Sequence, residues 1–246
     1  MLKIALVVAM EKEAAPIING LGLQPFKPER YKNFQFQFYR GVVHERIEVM
    51  LIIPGLDPRF KMDSIGTEPA AVCAFAVVTE FQPDLLINAG TCGSFASAGA
   101  ELSKVYLSRT AFYFHDHRIP IAGWREFGLG GYPSVDVSAV ADRLNLETAN
   151  VSSGNSLDYT DQEIATMKAN GAILKEMEAG GIAWVAAVTG TPFFAIKSVT
   201  NLIDTSPDSP SEFEKNFARS VETLSEKVLV VFKDLAARDA KSELGL

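Results

Sequence analysis

The chain has 246 residues, 48% of them apolar and 22% charged, with a net charge of −7. That length and composition provide for a sizeable core and predict one domain over residues 1–246, with no linker, repeat or low-complexity segment. The acidic balance and the lack of a basic stripe argue against nucleic acid and anionic membrane surfaces as partners.

The first apolar run, residues 4–10, ends in EKE rather than at small residues, so 3–9 is predicted to be a buried strand and not a secretion signal. Glu11 opens a helix with acids in its first turn, where the helix dipole favours them, and Pro16 marks a kink. In NFQFQFYR (33–40), Phe34, Phe36 and Phe38 alternate with Gln35 and Gln37, the pattern of a half-buried strand. A turn near Gly41 leads into RIEVMLII (46–53), completing a hairpin. PGLDPRFKMD (54–63) is a loop by composition. Residues 67–81 are predicted as a helix, and PDLLINAG (83–90) as turn, strand and glycine. Further strands are expected at 104–112 and 150–154, an irregular stretch at 122–136, and a helix at 160–170. A helix over 179–189 precedes a buried strand at 192–199. A long amphipathic helix over 211–237 follows, with Phe213, Phe217, Val221, Leu224, Val228 and Val231 along one stripe. The alternation predicts an α/β fold: a single three-layer α/β/α domain around a central, mixed, twisted sheet.

Sheets of this kind gather the loops after their strands at one edge and place chemistry there. The loops in question are AMEKE (9–13), NAGTCGSF (88–95), FHDHRIPI (114–121) and the segment that begins at Asn201; KEMEAGG (175–181) adds carboxylates. Glu176 and Glu178 flank Met177, so extended backbone turns both to one side, although the spacing alone fits two solvated acids better. GTCGS and GNS can present backbone amides to a sugar or a base, although on pattern alone ordinary turns are favoured. His115 and His117 bracket Asp116, but a pair without a third ligand fits hydrogen-bonded histidines better than a metal site, and no metal is expected. Cys73 and Cys92 lack metal spacing and fit a reduced, cytoplasmic protein; Cys92 has no histidine near it in sequence to make it a nucleophile. GLGG (128–131) lacks dinucleotide spacing, and neither a phosphate-cradling loop nor a nucleophile elbow occurs, so no cofactor is expected. Pattern alone thus leads to a cytosolic α/β enzyme acting on a small molecule.

Seven stretches go further when taken in order: AMEKE, DSIGT (63–67), PDLLINAGTCGSF (83–95), FHDHRIPI, SSGNSLD (152–158), KEMEAGG and KSVTNLID (197–204). Together, over roughly residues 3–235, the chain resembles the 5′-methylthioadenosine/S-adenosylhomocysteine nucleosidases, most closely their plant-type branch. The resemblance implies a nucleoside phosphorylase-like fold, a homodimer, a purine nucleoside as ligand, and hydrolysis of its N-ribosidic bond through an oxocarbenium-like transition state. By match, Glu13 activates water, Glu178 holds the ribose hydroxyls with Met177 beneath the sugar, and Glu176 and Phe114 belong to the substrate site. Thr91 matches a hydroxyl residue bonded to the general acid. Leu157 and Asp158 match the segment along the base, and Ile65 the pocket for the 5′-substituent.

The acid itself is missing. The family's aspartate corresponds to Asn201, and Asn155 stands where the family carries a second aspartate. An amide donates a hydrogen bond but cannot give up a proton at neutral pH. Three readings follow: an engineered Asp-to-Asn change that slows turnover, a preference for a 6-oxopurine base, or nucleoside binding without efficient turnover. A phosphorylase on the same fold would need basic residues around phosphate. Neither 5–10 nor 201–209 carries an arginine, which leaves Arg59 and Lys61 in a loop.

Overall fold

In the computed structural model, which describes residues 1–205 and 209–246, the strands form along the apolar runs. The chain order is β1 (Leu2–Val7), α1 (Glu11–Leu21), β2 (Gln24–Phe26), β3 (Gln37–Val43), β4 (Ile47–Ile53), α2 (Thr67–Phe81), β5 (Leu85–Ser94) and β6 (Val105–Phe114). It continues through α3 (Trp124–Leu129), β7 (Gly130–Pro133), α4 (Ser138–Leu144), β8 (Glu147–Ser153), α5 (Asp161–Ala169) and β9 (Ala172–Glu176). Last come α6 (Ala179–Thr189), β10 (Phe193–Leu202), α7 (Ser209–Ala236) and α8 (Ala240–Leu244).

Among the described residues ten strands join one mixed sheet in the order β10-β6-β8-β9-β5-β1-β4-β3-β2, with β7 on β6. β10 also runs parallel to β5 along most of its length. The strands β5, β9, β8, β6 and β10 therefore close into a ring, from which β1, β4, β3 and β2 extend as a wing. Both faces are buried, so the strands read as near-continuous apolar runs. With the period of two, Ile4 and Leu6, Val49 and Leu51, Leu85 and Ile87 point to the face shared with Ile17 of α1 and Leu224, Val228 and Val231 of α7. Ala5 and Val7, Met50 and Ile52, and Leu86 point the other way, toward Cys73 and Val77 of α2 and Ile182 and Ala183 of α6. This is the expected three-layer arrangement. Among the described residues no helix is long and apolar enough to cross a membrane.

The differences from the predicted elements have local causes. Phe36 and Phe38 are buried, but Phe34 lies in a bend before β3 and stacks on Phe36. The hairpin turns at His44 and Glu45, with φ of 50° and 58°, not at Gly41. Gly41 sits within β3, where a Cβ would come 3.0 Å from Leu23. The stretch 122–136 contains α3 and β7. β9 (AILKE) is too polar to be recognised as a buried strand. Pro16 lies inside α1.

Candidate active site

The carboxyl ends of β1, β5, β9 and β10 bring their loops to one cavity of about 260 Å³. Glu13, Thr91, Gly93, Glu178, Thr200 and Asn201 line it, together with Met10, Met62, Ile65, Leu157, Met177 and Phe213. The sequence thus located most of the lining. It did not foresee Met62, or Phe213 as more than a core residue of the long helix.

Glu13 is 3% exposed on the first turn of α1. The helix starts at Glu11, whose N–H is capped by Asp63 Oδ1 at 3.0 Å. Thr91 N and Thr91 Oγ1 both donate to Glu13 Oε1 at 2.8 Å, so Oε2 remains for another partner. Thr91 was expected to serve the residue at 201, and the structure gives it to Glu13 instead. Burial raises the Glu13 pKa above the ordinary carboxylate value, against the opposing pull of the Thr91 hydrogen bonds and the Lys197 charge.

Glu176 also lines the cavity, with its carboxylate engaged inside the protein. Its carboxylate ion-pairs with Lys197 at 2.7 Å, both side chains being fully inaccessible. It accepts from Ser153 Oγ, and from Glu178 N at 3.0 Å and Ala179 N at 2.8 Å. The last two are orphan donors at the start of α6, so Glu176 caps that helix. Burial would raise its pKa, but Lys197 and these bonds hold it below the ordinary value. Lys197 is the charged residue that sequence reasoning missed. A lone lysine in the apolar run PFFAIKSV was the available signal, because a buried ammonium needs a carboxylate partner. A Cβ on Gly90 would meet Lys197 Nζ at 3.4 Å and both Glu13 oxygens at 3.6 Å, so a bare glycine lets the two charges approach.

Glu178 faces the cavity and takes one bond from Gly66 N at 3.1 Å. Burial first, then the charges of Glu176 and Glu13, push its pKa up to about 7. The folded chain therefore holds this proton more tightly than the unfolded chain. Glu178 favours the fold at low pH, and that contribution is lost as the pH rises from 4.5 to about 7. Glu178→Gln should accordingly raise Tm at alkaline pH, and its advantage over the wild type should shrink as the pH falls through this window. Thermal unfolding across pH checks this, and a Tm difference that does not vary with pH would contradict it.

Asn201 is 2% exposed and lies beyond a bulge where β10 shifts register between Val199 and Asn201. Thr200 Oγ1 donates to Asn201 Oδ1 at 2.9 Å. The NH₂ group lies over the bare Cα of Gly93, where a Cβ would be 3.1 Å from Nδ2. Glu212 holds Leu202 N at 3.1 Å and Asn216 holds Thr200 O at 3.0 Å. Residues 206–208 of the stretch read for arginines lie outside the described residues.

Other expected residues lie elsewhere. Asp158 is exposed and outside the cavity lining. Phe114 is outside the lining of this cavity: it stacks on His117 with ring centroids 4.0 Å apart and lines a second cavity of about 270 Å³ with Tyr132 and Trp184. Gly180 of α6 leaves room for that ring; a Cβ there would lie 2.6 Å from it. His115 is buried with Nδ1 3.1 Å from Ser152 Oγ. Among the described residues no group of three or more His, Cys, Asp or Glu side chains is arranged to hold a metal. Burial pushes the Cys92 thiol up to about 12, which makes it inert.

The Phosphorylase superfamily pattern matches residues 3–233. A 5′-methylthioadenosine nucleosidase of Arabidopsis thaliana is 36% identical over 214 residues, covering 87% of this chain and 79% of the relative. A 5′-methylthioadenosine/S-adenosylhomocysteine nucleosidase of the same plant is 33% identical over 240 residues, covering 96% and 92%. The solved apo structure of Arabidopsis thaliana 5′-methylthioadenosine nucleosidase superposes with a TM-score of 0.93 at 33% identity, over 97% of both chains. The chain belongs to the phosphorylase superfamily and, within it, to the family of 5′-methylthioadenosine/S-adenosylhomocysteine nucleosidases.

Proposed function

We propose that the protein hydrolyses the N-ribosidic bond of 5′-methylthioadenosine, with Asn201 slowing departure of the base. The observation that carries this reading is the convergence of Glu13, Glu178 and Asn201 on one largely apolar cavity. Glu13, held through Oε1, takes a proton from water as the water oxygen bonds C1′. The C1′–N9 bond breaks and its electron pair leaves with adenine. Glu178 holds the ribose hydroxyls above Met177, and the carboxylates offset the positive charge that builds on the sugar. Asn201 donates from Nδ2 to purine N7 but supplies no proton, which must come from solvent. Leu157 packs on the base. Met10, Met62, Ile65 and Phe213 suit a methylthio group, whereas a homocysteine tail would need polar partners.

Water is favoured over phosphate as the nucleophile because no arginine lines the cavity among the described residues. Arg59 is bound by Asp57 at 2.9 Å in an exposed loop. Lys175 donates to the Leu157 carbonyl at 3.2 Å, and Lys197 is paired with Glu176. The Asn201 amide supports a second reading, since an NH₂ donor also suits the O6 of a 6-oxopurine. A cytoplasmic homodimer belongs to the same proposal. The exposed Val72, Phe75, Trp184 and Val188 on α2 and α6, with Trp124 and Phe127 nearby in α3, offer an apolar contact face.

Base release from 5′-methylthioadenosine and from inosine, with and without phosphate, tests the reading. Phosphate-independent release of adenine supports it. Release only with phosphate indicates a phosphorylase. Faster release from inosine indicates the 6-oxopurine reading, and tight binding without product indicates a nucleoside-binding protein.

A further inference from the structure

Glu178 depends for its position on a loop far from it in sequence. While Gly66 N donates to Glu178, the next amide, Thr67 N, donates to Asn155 Oδ1 at 2.8 Å. The two side chains thus grip consecutive backbone amides at the start of α2. Asn155 Nδ2 donates in turn to Thr67 Oγ1 at 2.8 Å and to Glu68 Oε2 at 3.1 Å. Its own N–H is fixed by Asp116 Oδ2 at 2.8 Å. Gly66 has φ of +111°, and a Cβ there would lie 2.9 Å from Asn155 Oδ1, so the amide oxygen rests against a bare Cα.

We propose that Asn155 is a positioning residue for Glu178, acting through the Gly66–Thr67 backbone, and that it must be an amide because the Glu68 carboxylate lies opposite. The functional consequence rests on Glu178 holding the substrate's sugar. Only a carboxamide accepts from Thr67 N while donating to Glu68 and the Thr67 hydroxyl. An aspartate at 155 would keep the acceptor and suit the helix N-terminus. Its second oxygen, however, would face Glu68 at hydrogen-bond distance, and two carboxylates so placed do not both stay ionised comfortably. The 66–67 backbone would shift and loosen the bond to Glu178. The other charges that bear on Glu178 are Glu176 from β9, Lys197 from β10 and Glu13 from α1.

The test compares the wild type, Asn155→Asp, Glu68→Gln and the double variant in two ways. One is kcat and KM for base release from 5′-methylthioadenosine. The other is the ¹³C carboxyl titration of Glu178 in the unliganded protein, assigned with Glu178→Gln. Asn155→Asp should lower kcat about tenfold, in the range of contacting-residue coupling, and move the Glu178 titration to higher pH. Glu68→Gln alone should stay within about threefold of wild type. The double variant should recover to the same level, since a glutamine at 68 supplies the donor that an aspartate at 155 lacks. An unchanged Glu178 titration in Asn155→Asp, even with a lowered Tm, would reduce Asn155 to a structural residue and overturn the proposal. So would a double variant as impaired as Asn155→Asp. If Asn155→Asp does not fold, Asn155→Ser, which loses the reach to Glu68, takes its place with the same expected titration shift. If the wild type releases no base, the functional reading fails while the titration still decides the positioning.

Discussion

Replacing Glu13 by glutamine should lower kcat for base release by about 10²–10⁴, the usual contribution of a positioned general base. The substitution preserves shape, and the glutamine oxygen can still accept from Thr91 N and Oγ1, the two donors that hold Glu13 Oε1. Only the capacity to take a proton disappears. KM should stay close to that of the wild type, because the cavity walls and Glu178 are untouched. Burial already raises the proton affinity of Glu13, which brings it nearer the operating pH and makes it a better base. On the acid side kcat should therefore fall as Glu13 takes up its proton. A single-turnover assay with enzyme in excess measures the difference. Glutamine at 13 with wild-type kcat would remove Glu13 from the chemistry.

The second large effect runs in the opposite direction. Asn201→Asp should raise cleavage of 5′-methylthioadenosine by about 10² or more, because a general acid is worth about 10²–10⁴ in rate. The local structure is ready for the change. Thr200 Oγ1, which bonds Asn201 Oδ1 at 2.9 Å, can serve a carboxyl group equally well. The Gly93 backbone leaves room for it, and Glu212 and Asn216 hold the flanking backbone whatever residue stands at 201. The new carboxyl would be nearly buried, at a position 2% exposed, so desolvation would keep it protonated at higher pH, as an acid requires. Parallel assays with inosine separate the two readings. If Asn201 selects O6, the aspartate variant should lose inosine cleavage as it gains the adenine nucleoside. If neither substrate responds, N7 protonation does not limit the rate and the proposed mechanism fails.

How far the sequence revealed the site depended on what kind of information each residue carries. Glu13, Glu178 and Asn201 stood out because ordered motifs named them, and each lines the cavity. Their partners did not, because hydrogen bonding is decided in three dimensions. Thr91 lies on the strand that passes Glu13, so its two donors go there and not to residue 201. Glu176 and Glu178 are separated only by Met177 and both line the cavity, yet the Glu176 carboxylate is held by Lys197 and the start of α6 while that of Glu178 takes its bond from Gly66 N. Fold class followed from the alternating apolar runs. β9 escaped notice because its lysine and glutamate are buried by partners that are distant in sequence, including Ser156, Leu157 and Lys197. Phe114 follows from the motif alone, and the room that Gly180 of α6 leaves for its ring is silent in one dimension.

The pairing of β5 with β1, β10 and β9 has a consequence for how the chain acquires its activity. Glu13 follows β1 and Asn201 lies near the end of β10, so the cavity assembles only when these two segments, distant in sequence, have docked on one shared strand. Contacts between such distant segments carry a high loop-closure cost and form slowly. Helices and the β3–β4 hairpin can condense from local contacts well before that. During refolding, secondary structure should return ahead of ligand binding, and binding should return together with catalysis. A fragment lacking either β1 with α1 or β10 holds only part of the cavity's polar groups.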